Sequence, residues 1–134
     1  MEDNPSIQVI IDLHRDEVDE GTKLLTEENG VKMARVMFFN GLSYVNRIGK
    51  VDYLPNPNQM ENLAFSFQAQ VKANEYYPGF TRKIYLRGYR YNMHFRGKSM
   101  LIELGAQTNT VEEIMNAIDP LSHVIAMTLG YEMQ

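Results

Sequence analysis

The sequence predicts an α/β domain: a mostly parallel, twisted sheet flanked by helices, with one β-hairpin near residues 23–38. Three observations carry that reading. Short apolar runs rich in β-branched residues alternate with longer stretches of helical spacing. The first run, residues 8–13 (QVIIDL), is nearly continuous, as in a parallel strand buried on both faces. An Asn29-Gly30 pair separates two strand-like segments and suits a type I′ turn, since both residues tolerate positive φ.

The remaining elements follow in order. Residues 23–28 and 31–39 form the arms of the hairpin, and the second arm runs into the core through Val36, Met37, Phe38 and Phe39. Residues 41–57, rich in Gly, Asn and Pro, read as loop. Asn58 followed by Glu61 matches a capping box, and the helix after it would bury Met60, Leu63, Ala64, Phe67 and Val71. Pro78-Gly79 ends that helix near Tyr77. Residues 82–87 alternate, with Ile84 and Leu86 on one side, and would complete a βαβ unit. Residues 100–104 make another apolar strand. Asn109 with Glu112 caps a last helix, which Pro120 kinks or divides, with Asp119 available to recap it.

A length of 134 residues with 44% hydrophobic content suits one compact domain, residues 1–134. Net charge is −4, and no basic stripe points to nucleic acid. With no cysteine, disulfides, thiolate metal sites and a cysteine nucleophile are excluded. No stretch reaches the roughly 20 apolar residues of a transmembrane helix. Residues 1–6 are short and polar, unlike a signal peptide, and the chain then opens almost directly into a strand. The expectation is a truncated domain whose N-terminal part is absent.

Chemistry-bearing residues gather at two strand ends. One holds Asp12, His14 and Asp16; the other holds Glu103 and the polar residues after Gly105. Ligands collect outside the carboxyl ends of strands in open α/β sheets. His14 can ligate zinc through one ring nitrogen while the other donates to Asp12 or Asp16. Glu103, flanked by Ile102 and Leu104, needs a partner, and a water to deprotonate is one. A structural histidine, a solvent-facing glutamate and a surface ion-pair cluster remain open alternatives. Tyr85, Tyr89, Tyr91 and Phe95 interleave with Arg82, Lys83, Arg87, Arg90, Arg96 and Lys98. That set reads either as a glycan-binding face or as strand residues alternately facing solvent. No phosphate-cradling loop and no nucleophile elbow occur.

A set of short motifs spans the chain in order. It comprises Ile11-Asp12-Leu13-His14-Arg15-Asp16, Asn56-Pro57-Asn58 with Asn62-Leu63-Ala64-Phe65, Tyr77-Pro78-Gly79 with Thr81-Arg82, Tyr91-Asn92, and Leu101-Ile102-Glu103-Leu104-Gly105 with Asn109-Thr110. On these residues the chain resembles the stage II sporulation protein P family, in the N-acetylmuramoyl-L-alanine amidase superfamily. The resemblance implies an amidase-like α/β fold, of which this would be the C-terminal part. It implies Zn²⁺-dependent cleavage of the muramoyl-L-alanine amide of peptidoglycan during sporulation engulfment, with cleavage of stem-peptide cross-links as a second activity. By motif, His14 matches the metal-binding histidine and Glu103 the catalytic carboxylate. Asp12 and Asp16 fall near the metal, and Arg90 and Asn92 where substrate contacts belong. The implied partners are peptidoglycan and stage II sporulation protein D, a transglycosylase. The implied location is extracytoplasmic, in the intermembrane space of the sporangium, with a membrane anchor upstream. Family members carry further zinc ligands upstream, and neither His94 nor His123 matches one. The alternative is therefore a non-catalytic module that binds cell wall or docks a partner.

Overall fold

The computed structural model describes residues 4–131; residues 1–3 of the polar N-terminal stretch and residues 132–134 lie outside it. Strand β1 (Val9–Asp16) runs three residues beyond the expected segment, so His14 and Asp16 lie within the strand. It is an edge strand: the four-stranded sheet has the order β1-β8-β4-β7. The expectation of burial on both faces fails here. Ile11 is 40% exposed and Leu13 53% exposed, because among the described residues β1 has a neighbour on one side only.

Strands β2 (Leu25–Glu28) and β3 (Val31–Ala34) form the expected hairpin. Asn29 (φ 51°) and Gly30 (φ 81°) both take the left-handed conformation that a type I′ turn demands. The chain then enters β4 (Val36–Gly41), every residue of which is buried. Within the segment read as loop lies a small hairpin of β5 (Tyr44–Val45) and β6 (Gly49–Lys50). Two-residue strands are too short to show an alternating pattern.

Helix α1 (Gln59–Tyr76) starts and stops where the sequence placed it, but it is rotated. Its buried residues are Asn62, Phe65, Ser66, Ala69 and Ala73. Met60 and Phe67, expected inside, are 76% and 62% exposed, and Val71 is also exposed. Two polar side chains on the buried face find partners there. Asn62 Nδ2 donates to the carbonyls of Arg96 and Gly97, both at 2.8 Å. Asn40 Nδ2 donates to Ser66 Oγ at 2.7 Å. Ala69 and Ala73 let the backbone approach the sheet closely. The expected capping box is absent as well, because Asn58 Nδ2 donates to the His94 carbonyl at 2.9 Å instead.

Strand β7 (Tyr85–Arg87) pairs parallel with β4, so β4, α1 and β7 make the anticipated βαβ unit, although β7 is only three residues long. A 3-10 turn (Met93–Phe95) leads into β8 (Lys98–Ala106), which lies parallel to β1 and antiparallel to β4. Two of the three pairings in this sheet are therefore parallel. The last helix is divided into α2 (Val111–Asn116) and α3 (Ile118–Thr128), as Pro120 implied. Its capping box is Thr110 with Glu113, one residue beyond the expected pair. Asn109 is used otherwise: its Oδ1 accepts from the Ala106 backbone at 2.9 Å. Asp119 lies in the first turn of α3 and does not cap it.

The two sheet faces differ. Val36, Phe38, Met100, Ile102 and Leu104 pack against Phe65 and Ala69 of α1 and Leu121 and Val124 of α3. The opposite face carries a smaller cluster of Met37, Phe39, Leu101 and Met93, the last from the 3-10 turn. No helix among the described residues is long and apolar enough to cross a membrane.

Candidate functional site

The smaller cluster floors the site. Side chains alternate along β8, so Glu103 shares the face of Leu101, opposite that of Ile102. In the parallel ladder His14 stands directly beside Glu103, and Met37 of β4 stands on the other side. The ladder then slips: His14 pairs Glu103, yet Asp16 pairs Ala106. That leaves one extra residue in β8, a bulge just past Glu103. Gly105 makes the bulge possible. Its φ is +61°, and a Cβ there would lie 2.7 Å from Asn109 Oδ1 and from Ile114 Cδ1, and 2.9 Å from Ala34 Cβ.

Hydrogen bonds join three of the residues expected at the site, Asp12, His14 and Asn92. Asp12 Oδ1 is 2.8 Å from His14 Nε2. Asp12 Oδ2 accepts from Asn92 Nδ2 at 3.0 Å, so residues 80 positions apart meet on one carboxylate. A carboxylate accepts, so His14 carries its proton on Nε2, and Nδ1 is left to accept a proton or a metal. Asp16 Oδ2 receives Arg82 Nη1 at 2.6 Å, and Asp16 Oδ1 receives the Glu17 backbone at 2.8 Å. Arg82 belongs by sequence to the aromatic and basic set, not to the expected site residues. Its neighbour relation to Asp16 spans 66 residues and has no local signature.

Glu103 is the least satisfied member. Its Oε2 is buried without a hydrogen-bond partner. Burial and the nearby Asp16 charge raise its pKa above the usual glutamate value of 4.5, with a smaller push from Asp12, while His14 and Arg82 pull the other way. A carboxylate held like this is poised to take and return a proton.

Arg90 is not brought into the cluster. Its Nη1 donates to the Pro55 carbonyl at 3.1 Å, and it faces the loop before α1. His94 sits in the 3-10 turn with a buried, unpartnered Nδ1, its pKa lowered by burial and by Arg90. His123 accepts or donates at 2.7 Å with the Tyr77 hydroxyl and packs among Tyr76 and Tyr77. No group of three His, Cys, Asp or Glu among the described residues is arranged to hold a metal ion. His14 offers one zinc ligand, and a catalytic zinc takes three from protein. The described residues therefore do not make a zinc site by themselves.

A family model described as Stage II sporulation protein P (SpoIIP) matches residues 1–126. Neither the curated proteins nor the solved structures offer a match to the chain.

Proposed function

The chain belongs to the stage II sporulation protein P family and so has a role in sporulation, and we propose that this role is hydrolysis of peptidoglycan at the muramoyl-L-alanine amide during engulfment. The observation that carries the proposal is Glu103: a buried, unpartnered carboxylate oxygen with a raised pKa, beside His14 on the adjoining strand. In this reading Glu103 takes a proton from the water that attacks the amide carbonyl. It returns that proton to the departing alanine nitrogen, so water adds across the broken C–N bond. Asp12, steadied by Asn92, orients His14, and Arg82 with Asp16 sets the charge around Glu103.

Zinc belongs to the proposal as an ion that His14 helps to hold through Nδ1, with its other ligands coming from outside the described residues. It would polarise the carbonyl and the attacking water. The proposed partner is the transglycosylase stage II sporulation protein D, and the proposed location is extracytoplasmic. Cleavage of stem-peptide cross-links is a second outcome of the same chemistry.

The lack of a three-ligand group among the described residues favours one rival: a non-catalytic module that binds cell wall or docks a partner. Purified peptidoglycan incubated with the protein and zinc separates the two. Stems released with a free L-alanine amino group, and a loss of about 10²–10⁴-fold in Glu103→Gln, are expected for the hydrolase. Binding to peptidoglycan with no release, unaltered by Glu103→Gln, would leave the module.

A further inference from the structure

The geometry points to a second binding site, a carboxylate subsite in the cleft at the end of β7, which receives the acidic peptide stem of peptidoglycan. This assignment rests on the substrate class proposed above. The cleft has a volume of about 660 Å³, and Arg47, Arg87, Tyr44 and Tyr89 line it. Pockets of that size hold small organic ligands. No Asp or Glu lines it. Among the described residues the ion pairs are His14–Asp12, Lys23–Glu113, Lys72–Glu75 and Arg82–Asp16, so both cleft arginines lack an acidic partner. Two unpaired cations share one cleft in a chain whose net charge is −4. An anion in the cleft gains attraction from both.

The cleft is held in shape from both sides. The Arg87 guanidinium lies 5.1 Å from the Tyr85 ring centroid, a cation–π contact. Tyr85 in turn packs 5.5 Å from the buried Phe39. Leu42 donates its backbone N–H to the Arg87 carbonyl at 2.8 Å, and Tyr44 donates to the Gly88 carbonyl at 3.0 Å. At Gly41 a Cβ would meet the Tyr89 carbonyl at 2.3 Å, so the two segments interlock at their backbones. The segment carrying Tyr44 and Arg47 is thereby pinned to the one carrying Arg87 and Tyr89.

A guanidinium fork matches a carboxylate in two hydrogen bonds, and tyrosine rings cover the apolar flank of a peptide. The reach is suitable too. Arg87 pairs Gly41, and Met37 pairs Glu103, so Arg87 lies two strands across and four residues along from Glu103. Strand spacing and rise make that about 16 Å, or about five extended residues. A stem peptide joined to the scissile amide at Glu103 spans this distance and carries free carboxylates to the cleft.

The test is binding of a soluble muramyl pentapeptide, as the free acid and as the fully amidated form. Calorimetry with wild type, Glu103→Gln, Arg47→Gln/Arg87→Gln and Asn46→Asp is the measurement. Wild type and Glu103→Gln are expected to prefer the free acid at least tenfold. The double variant should lose that preference, and Asn46→Asp, which adds a carboxylate to the cleft, should weaken acid binding. Asn46, Arg47 and Arg87 are exposed, so Arg47→Gln/Arg87→Gln and Asn46→Asp are expected to melt with wild type. Equal affinity of wild type for both ligands, or an undiminished preference in the double variant or in Asn46→Asp, would overturn the subsite. An acid preference without amide cleavage by wild type sinks the hydrolase reading and leaves the subsite standing.

Discussion

Glu103 sits in a strand whose neighbours are buried, and its proton reflects that. Its pKa in the folded chain is raised, chiefly by burial and then by Asp16. The folded state therefore holds this proton more tightly than the unfolded state does. The stability it contributes is complete below the ordinary glutamate value of 4.5 and is lost as pH rises through the raised value. Glu103→Gln removes that loss. The variant is expected to be more stable than wild type at neutral pH, because it carries no charge into this partly buried position. The difference should vanish in acid. Urea midpoints across the pH range check this, and a wild-type advantage at neutral pH would reject it. On the proposed mechanism the same substitution should cut cleavage, so stability and activity would move in opposite directions, the trade-off of a group kept for function at a cost in stability.

At the scale of elements, α1 is the instructive case. Its apolar stripe of Met60, Leu63, Ala64, Phe67 and Val71 satisfies helical spacing and yet faces largely outward. Spacing alone cannot tell two faces apart when one carries large apolar residues and the other small residues with satisfied polar ones. Phe67→Ser is therefore expected to change stability by less than about 0.5 kcal/mol, as for surface substitutions. Ala69→Leu, at a fully buried position, should cost about 1–3 kcal/mol through overpacking. Thermal melts of both variants decide the matter, and the reverse ranking would mean that α1 is seated on its other face. The hairpin and the βαβ unit were legible because their signals are local: Asn29-Gly30 specifies a turn, and a parallel crossover needs a helix between its strands.

At the scale of the molecule, the sheet is unevenly covered. β8 is central, paired on both sides, and packed beneath α1. β1 is an edge strand with half of its apolar side chains in reach of water. Local opening should follow that difference. Amide hydrogen exchange is expected to protect residues 100–104 of β8 more strongly than residues 9–13 of β1, by about tenfold or more. Equal protection in both strands would mean that the β1 edge is covered in solution. The two halves of the candidate site thus sit on strands of unequal stability, Glu103 on the firm one and His14 on the looser one.

The order of strands and helices, the turn at Asn29-Gly30, the division at Pro120 and the polar residues at two strand ends are all properties of neighbours along the chain. Those are legible in the sequence alone, as is membership of the family whose model matches residues 1–126. The tertiary structure decided the contacts across the chain: Asn92 on Asp12, Arg82 on Asp16, the bulge that follows Glu103, and the face that α1 buries. Each joins segments far apart in sequence. Their energies depend on which groups burial brings together, and no local pattern records that.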